Sequence, residues 1–219
     1  MLKAGELGSV LQRDKKTYAI APHVPCGVIT PDKLRKIADA ADKYKVATVK
    51  ITSASRIALV GINEEDIEDV WKDLEMETGH AVGLCVRSIK ACPGITFCRL
   101  GQQDSLSMGM KLDQIYHGMD LPSKTKLGVS GCNNQCAENC IKDISLVGKK
   151  KGWTLMAGGK GTGKPRLADK LCENLNSADA LELVGRIVDY YKKNAKKLER
   201  IGKMIDRIGL EELKAAVLS

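Results

Sequence analysis

Four of the chain's eight cysteines fall as Cys92-x5-Cys98 and, further along, as Cys132-x3-Cys136. Two close pairs of thiolates on separate segments can converge on one soft metal centre. Four thiolates are the common ligand set of a 4Fe-4S cluster or of a structural zinc. Spacing separates the two. Structural zinc draws its cysteines from knuckles with about two to four residues between them. Here the first pair is parted by a longer gap that opens with Pro93-Gly94. Iron and sulfur fit that gap better, and in a chain expected to be cytoplasmic such cysteines are metal ligands more readily than disulfides.

A second chemical pattern is Leu121-Pro-Ser-Lys-Thr-Lys126. Side chains alternate along a strand, so Lys124 and Lys126 share one face. Taken alone, they are two solvent-facing lysines on an ordinary strand. Gly158-Gly-Lys-Gly-Thr-Gly-Lys164 almost spells a phosphate-binding loop, but that loop needs Ser or Thr after its lysine to hold magnesium, and Pro165 stands there. It reads as a glycine-rich turn. No Gly-x-Gly-x-x-Gly opens a βαβ unit, so no flavin or nicotinamide site is evident. Cys140 continues the spacing of Cys132 and Cys136 by four, which would put it on the same helix face. Cys26, Cys85 and Cys172 read as small buried apolar residues.

The elements that must position these residues divide in two. A short strand is expected at 18–21. Thr30-Pro31 is an N-cap followed by proline at the first helical position, and opens a helix to about residue 43. Residues 46–52 and 56–62 alternate as two strands around Ser53-Ala-Ser55. Asn63 caps an acidic-fronted helix to about residue 77, with Ile67, Val70, Trp71 and Leu74 at helical spacing. A strand at 83–89 then completes a β-α-β-β-α-β order, which is ferredoxin-like. Beyond residue 91 the rhythm changes. A helix is expected at 104–116, strands at 126–130, 144–147 and 153–157, and helices at 165–173, 177–193 and from 198 to the end. The fold class is α+β, with domains at 1–82 and 83–219.

The chain has 219 residues, enough for one large or two small domains, and a formal net charge of +8. No apolar run approaches the eighteen or so residues of a membrane span, and no targeting segment is evident. A cytoplasmic protein is expected. The charge admits nucleic acid as a partner. Its densest run, Tyr191 to Arg200, lies on a helical pattern as a solvated face, and the other basic residues gather near the cysteines. An anionic cofactor or substrate explains that placement better than a duplex.

Val86-Arg-Ser-Ile-Lys-Ala-Cys-Pro-Gly-Ile-Thr-Phe-Cys98, Leu121-Pro-Ser-Lys-Thr-Lys126 and Gly131-Cys-Asn-Asn-Gln-Cys-Ala-Glu-Asn139 together resemble the sirohaem and 4Fe-4S module of sulfite and nitrite reductases. Ile141-Lys-Asp-Ile-Ser-Leu-Val-Gly148 and Trp153-Thr-Leu-Met-Ala-Gly-Gly159 extend the likeness, and the first eighty or so residues resemble the family's ferredoxin-like half-domain. Larger members carry two such repeats. This chain has one, and so is most similar to the small, single-repeat assimilatory-type sulfite reductases.

That resemblance implies six-electron reduction of sulfite to sulfide, with nitrite to ammonia as the alternative on the same site. It implies that Cys92, Cys98, Cys132 and Cys136 bind the cluster, and that Cys136 also joins it to the sirohaem iron. Arg87, Lys124 and Lys126 match the anion-binding positions. Arg56 matches a sirohaem-contacting strand, and Asn133, Asn134, Lys160, Lys164 and Arg166 are further candidates for that cofactor's carboxylates. The family's additional first-strand arginine is absent; Ala21 stands there, with His23 two residues on. The partners implied are the small anion and an external donor such as a ferredoxin or flavodoxin, with the protein a monomer or a homodimer. A non-catalytic cluster carrier or sensor, and a zinc-stabilised nucleic-acid-binding domain, are the competing classes.

Overall fold

The computed structural model describes residues 1–219, and its contacts divide the chain into Met1–Gly83 and Leu84–Ser219. In the first unit, β1 (Ser9–Leu11), β2 (Tyr18–Ile20), β3 (Thr48–Ile51) and β4 (Ile57–Ile62) form an antiparallel sheet in the order β1-β2-β4-β3. Helices α1 (Pro31–Lys43) and α2 (Ile67–Leu74) cover one face of it. Ile37 and Ala40 from α1 and Ile67, Val70 and Leu74 from α2 meet Tyr18, Ile20, Leu59 and Ile62 in a single core. Thr30 caps α1 by accepting the Lys33 N–H at 3.3 Å, with Pro31 at its first position. Helix α2 stops earlier than the apolar spacing suggests, because Glu75 turns left-handed after Leu74. Strand β3 is an edge strand, exposed along its whole length.

The fourth strand of this sheet is not the segment expected at 83–89. It is β1, which pairs with β2 from the other side of the sequence. The later segment is β5 (Val86–Ala91), and it belongs to the second unit. Its apolar residues are buried there by parallel pairing with β6 (Thr125–Ser130).

The second unit is a five-stranded mixed sheet, completed by β7 (Ile144–Lys149), β8 (Gly152–Ala157) and β9 (Asp169–Leu175), in the order β5-β6-β7-β8-β9. The first three strands are parallel and the last two antiparallel. Parallel neighbours need a crossover, and α3 (Ser105–Tyr116) supplies it between β5 and β6, capped by Asp104 accepting from Ser107 N–H. Helix α4 (Ser177–Asn194), capped by Asn176, packs on β8 and β9 and meets α3 where Gly185 lies against Tyr116.

Two helix expectations are corrected here. Residues 165–173 do not form a helix. The bridge between Lys160 and Arg166 closes the glycine-rich turn, and the chain continues as β9 against β8, turning Leu171 inward. The C-terminal stretch is two helices, α5 (Ile201–Ile208) and α6 (Leu210–Leu218), parted by Gly209 at φ 97. No helix is long and apolar enough to cross a membrane.

Candidate functional site

Ligands of open α/β sheets gather at the carboxyl ends of parallel strands, and both cysteine pairs lie there. Ala91, the last residue of β5, is in register with Val129 near the end of β6, and Cys92 N–H extends the ladder to Val129 O at 3.0 Å. Pro93 cannot continue a strand, and Gly94 turns the chain at φ 58 into a short 3-10 turn, Gly94–Thr96. A Cβ on Gly94 would stand 2.4 Å from Ser105 Oγ, so only glycine lets this turn close on the start of α3. Cys98 N–H then bonds Gly94 O at 2.9 Å.

The second cysteine loop is stitched to the first. Gly131 O accepts the N–H groups of Gln102 and Gln103 at 2.8 and 3.1 Å, and Gly131 N–H points at Cys92 Sγ at 3.1 Å. Ser105 Oγ also lies 3.2 Å from that sulfur. Cys92, Cys98 and Cys132 are half-buried and Cys136 is exposed. No three side chains of His, Cys, Asp or Glu stand close enough together to hold a single metal ion. The donor set still fits an iron–sulfur cluster, whose several irons are bound by thiolates and stabilised by N–H groups aimed at sulfur.

Cys140 does not share a helix face with Cys132 and Cys136. Gln135 and Glu138 are left-handed at φ 50 and 59, which breaks any helix, and Cys140 sits in the 3-10 turn Asn139–Ile141. Asn139 anchors this loop from inside. Its amide donates to Gly128 O at 3.1 Å and Leu146 O at 2.8 Å, and its side-chain oxygen accepts from Ser130 Oγ.

Cations lie on the same two strands, β5 and β6, toward their amino ends. Ser88 is in register with Lys126 and Lys90 with Gly128, so β5 and β6 present Ser88, Lys90, Lys126 and Gly128 on the same side. Burial alternates from Pro122 to Leu127, with Lys124 and Lys126 at the more open positions. Arg87 is the extra residue of a bulge, since Val86 and Ser88 pair with the consecutive Thr125 and Lys126. Bulges re-aim side chains and are common beside active sites. Burial, followed by the charges of Lys142, Arg200 and Lys124, pushes the Lys126 ammonium below the usual lysine range.

Three residues that the sequence did not single out as site candidates, Lys90, Glu138 and Lys142, form an ion-pair cluster here. Lys142 is buried, its stem crossing Gly128, and it meets Glu138 at 2.9 Å; Lys90 meets the other oxygen of Glu138 at the same distance. These two bonds hold the Glu138 carboxyl down at about 2.

Of the remaining candidates, Asn133 and Asn134 are exposed in the turn between Cys132 and Cys136, and Lys164 is exposed in the glycine-rich turn with Lys160 half-buried beside it. Lys124, Lys126, Lys160 and Lys164 enter no ion pair, which leaves their ammoniums for an anionic group. Arg166 is differently placed. Its guanidinium is committed to Asp169, Asp206 and the carbonyls of Gly158 and Leu167, and it holds the glycine-rich turn. The turn itself packs on protein: a Cβ on Gly159 would stand 2.5 Å from Lys142 O. Arg56 is a buried residue of the first unit, just ahead of β4, its backbone tied to Thr52. In the same unit His23 N–H bonds Glu77 O at 2.9 Å and Ala21 is buried. Cys26 and Cys85 are buried, and Cys172 is half-buried, with burial pushing its thiol up.

A family model described as the nitrite and sulphite reductase 4Fe-4S domain matches residues 82–219, and one described as the nitrite/sulfite reductase ferredoxin-like half domain matches residues 10–77. The assimilatory-type sulfite reductase of Nitratidesulfovibrio vulgaris is 45% identical over 96% of this chain and 97% of its own. A nitrite reductase [NAD(P)H] of Bacillus subtilis is 40% identical over 94% of this chain, which spans 26% of that protein. Among solved structures, dissimilatory sulfite reductase I superposes with a TM-score of 0.83 at 15% identity, covering 93% of this chain and 69% of the other. Mycobacterium tuberculosis NirA superposes with a TM-score of 0.80 at 19% identity, covering 92% and 40%. At those identities the likeness concerns the fold.

Proposed function

The chain belongs to the nitrite and sulfite reductase family, and from that premise we propose that it reduces sulfite to sulfide with electrons from an external donor. Membership makes it an oxidoreductase whose cofactors are a 4Fe-4S cluster and sirohaem. The observation that carries the substrate reading is that one pair of parallel strands, β5 and β6, leads at its carboxyl ends into both cysteine loops and carries cations toward its amino ends. The two cysteine loops are stitched together, and Lys126, the Arg87 bulge and, just ahead of β6, Lys124 lie on the same two strands that lead into them.

When bound, the coupled cluster and sirohaem supply electrons one at a time. Cys92, Cys98, Cys132 and Cys136 would hold the cluster, and Cys136 would also link it to the sirohaem. Asn133, Asn134, Lys160 and Lys164 would meet sirohaem carboxylates, as would Arg56 by its match to the family's sirohaem-contacting strand; Arg166 would serve them indirectly, by fixing the turn that carries Lys160 and Lys164. Arg87, Lys124 and Lys126 bind the substrate anion, and preorganised cations around a developing charge are among the strongest electrostatic contributions a site makes. Bisulfite takes up six electrons and six protons to give hydrosulfide and three waters, so protons matter as much as electrons. Lys126 is the donor best suited to deliver them, because burial and neighbouring cations loosen its proton. A ferredoxin- or flavodoxin-like donor suits the net charge of +8. The protein works in the cytoplasm, as a monomer or a homodimer.

The test is the anaerobically purified protein with a dye donor. Tetrapyrrole bands in its optical spectrum and sulfide formed with six electrons per sulfite support the reading. A brown cluster spectrum without tetrapyrrole bands would point instead to an electron carrier or sensor, and faster turnover of nitrite to ammonia would reassign the substrate. Cys136→Ser should abolish turnover by uncoupling the two cofactors.

A further inference from the structure

The second unit holds a buried ion pair that the reaction outlined above does not use. The side chains of Asp143 and Arg200 are 1% and 9% exposed. Arg200 Nε donates to Asp143 Oδ1 at 2.9 Å and Nη2 donates to Oδ2 at 2.5 Å, a two-pronged fork. The same Oδ2 accepts the backbone N–H of Lys126 at 2.8 Å, and Asp143 N–H donates to Lys126 O at 3.0 Å. Asp143 thus grips Lys126 by its backbone on both sides, and Arg200 grips Asp143.

A buried pair is a poor way to gain stability, since apolar residues of similar volume serve as well or better. Its placement points to another use. The segment that carries Arg200 is itself tied to the run before β6, with Leu198 N–H on Pro122 O at 2.8 Å, and Tyr191 Oη donates to Glu199 O. These contacts lock the start of β6, from which Lys124 and Lys126 project.

We propose that Arg200 is a positioning residue for the anion pocket: with Asp143 it fixes the backbone that aims Lys126, and it sets its own cation near that lysine. The proposal rests on the reading that Lys126 meets the substrate. The charged groups facing Lys126 are Lys142, Arg200, Lys124 and Asp143, and Asp143 and Arg200 in turn face Tyr191. The cation of Arg200 acts on Lys126 more strongly than the carboxylate of Asp143. A donor whose proton is held less tightly transfers it more readily near neutral pH.

Competitive acetylation of the cofactor-loaded protein with acetic anhydride, read by peptide mass spectrometry across a pH series, gives the titration midpoint of Lys126 without using turnover. In Arg200→Met that midpoint should rise by about half a unit or more, because a neighbouring cation is gone. Arg200→Lys should keep the original midpoint, since it keeps the charge. Arg200→Met strands a buried carboxylate and can fail to fold, so Asp143→Asn with Arg200→Met, which removes both charges, is the second variant. Its midpoint should also rise, by less. The alkaline limb of the turnover profile should move in the same direction. An unchanged Lys126 midpoint in either folded Met variant overturns the proposal. A Lys126→Met variant with undiminished turnover would instead refute the role given to Lys126, whatever the labelling shows.

Discussion

Glu138 and Asp143 are five positions apart in the chain, and the protein treats their carboxylates in opposite ways. Glu138 is 47% exposed at its side chain and lies between the ammoniums of Lys90 and Lys142, each 2.9 Å away, which hold it down at about 2. Asp143 is 1% exposed and holds a guanidinium fork and a backbone N–H, yet burial pushes its carboxyl up. Water makes the difference. A half-exposed carboxylate keeps much of its hydration, so each partner adds a little. A buried one has only its partners, so losing any of them leaves a charge stranded. Glu138 is a strut that tolerates change; Asp143 is a pin that does not.

The comparison breaks first at the pin. Asp143→Ala or Arg200→Ala should lower the unfolding free energy by about 3–5 kcal/mol, because the surviving charge stays buried without a partner. Replacing both, with Leu at 143 and Met at 200, should recover most of that loss. Urea unfolding followed by circular dichroism reads both. A single substitution costing less than about 1 kcal/mol would place Asp143 in the class of surface pairs and remove the contrast.

The Asp143–Arg200 and Glu138–Lys90 pairs were not legible in the sequence, although Glu138 and Lys142 are only four positions apart. Asp143 and Arg200 are 57 positions apart, and Glu138 and Lys90 are 48 apart, so no local pattern joins them. Only the packing of the second cysteine loop and of the segment before α5 against the sheet brings them together. Local signals read more clearly: Thr30-Pro31 marked the start of α1, and the Lys124 and Lys126 alternation survives in their burial. The same contrast explains the misplaced elements. A strand at 83–89 was visible, but its partner was not, because parallel pairing with β6 is set across a helix-long crossover. Segment 165–173 lacked the apolar alternation of a strand, and β9 forms only because β8 offers it an edge. The cysteine loops were legible as chemistry, whereas the glycine contacts that stitch them appear only in three dimensions.

Glu199 tests the ground between strut and pin. Its side chain is 11% exposed, and Arg207, followed by the Lys196 N–H, holds its carboxyl down at about 2 from an ordinary 4.5. A folded value below the unfolded one means that the contribution is fully present above pH 4.5 and is lost as pH falls toward 2. Wild-type stability should therefore decline through that window by roughly 2 kcal/mol more than in Glu199→Gln, whose acid limb should be flatter. Urea titrations at stepped pH give the difference. Equal slopes in the two proteins would show that Glu199 carries no such linkage.

The smallest effect belongs to the strut. Glu138→Gln keeps an acceptor for one lysine and removes the charge, and with nearly half the side chain in water the loss in unfolding free energy should stay within about 1 kcal/mol. Lys142 is the reason it should not be zero. Its side chain is only 7% exposed, so its ammonium depends on Glu138 more than Lys90, at 23%, does. Removing the dependent partner along with the charge, in Glu138→Gln with Lys142→Met, should restore part of the small loss, whereas pairing Glu138→Gln with Lys90→Met should not. If the two double variants are equally stable, exposure does not rank the partners of a shared carboxylate, and the distinction between strut and pin rests on Asp143 alone.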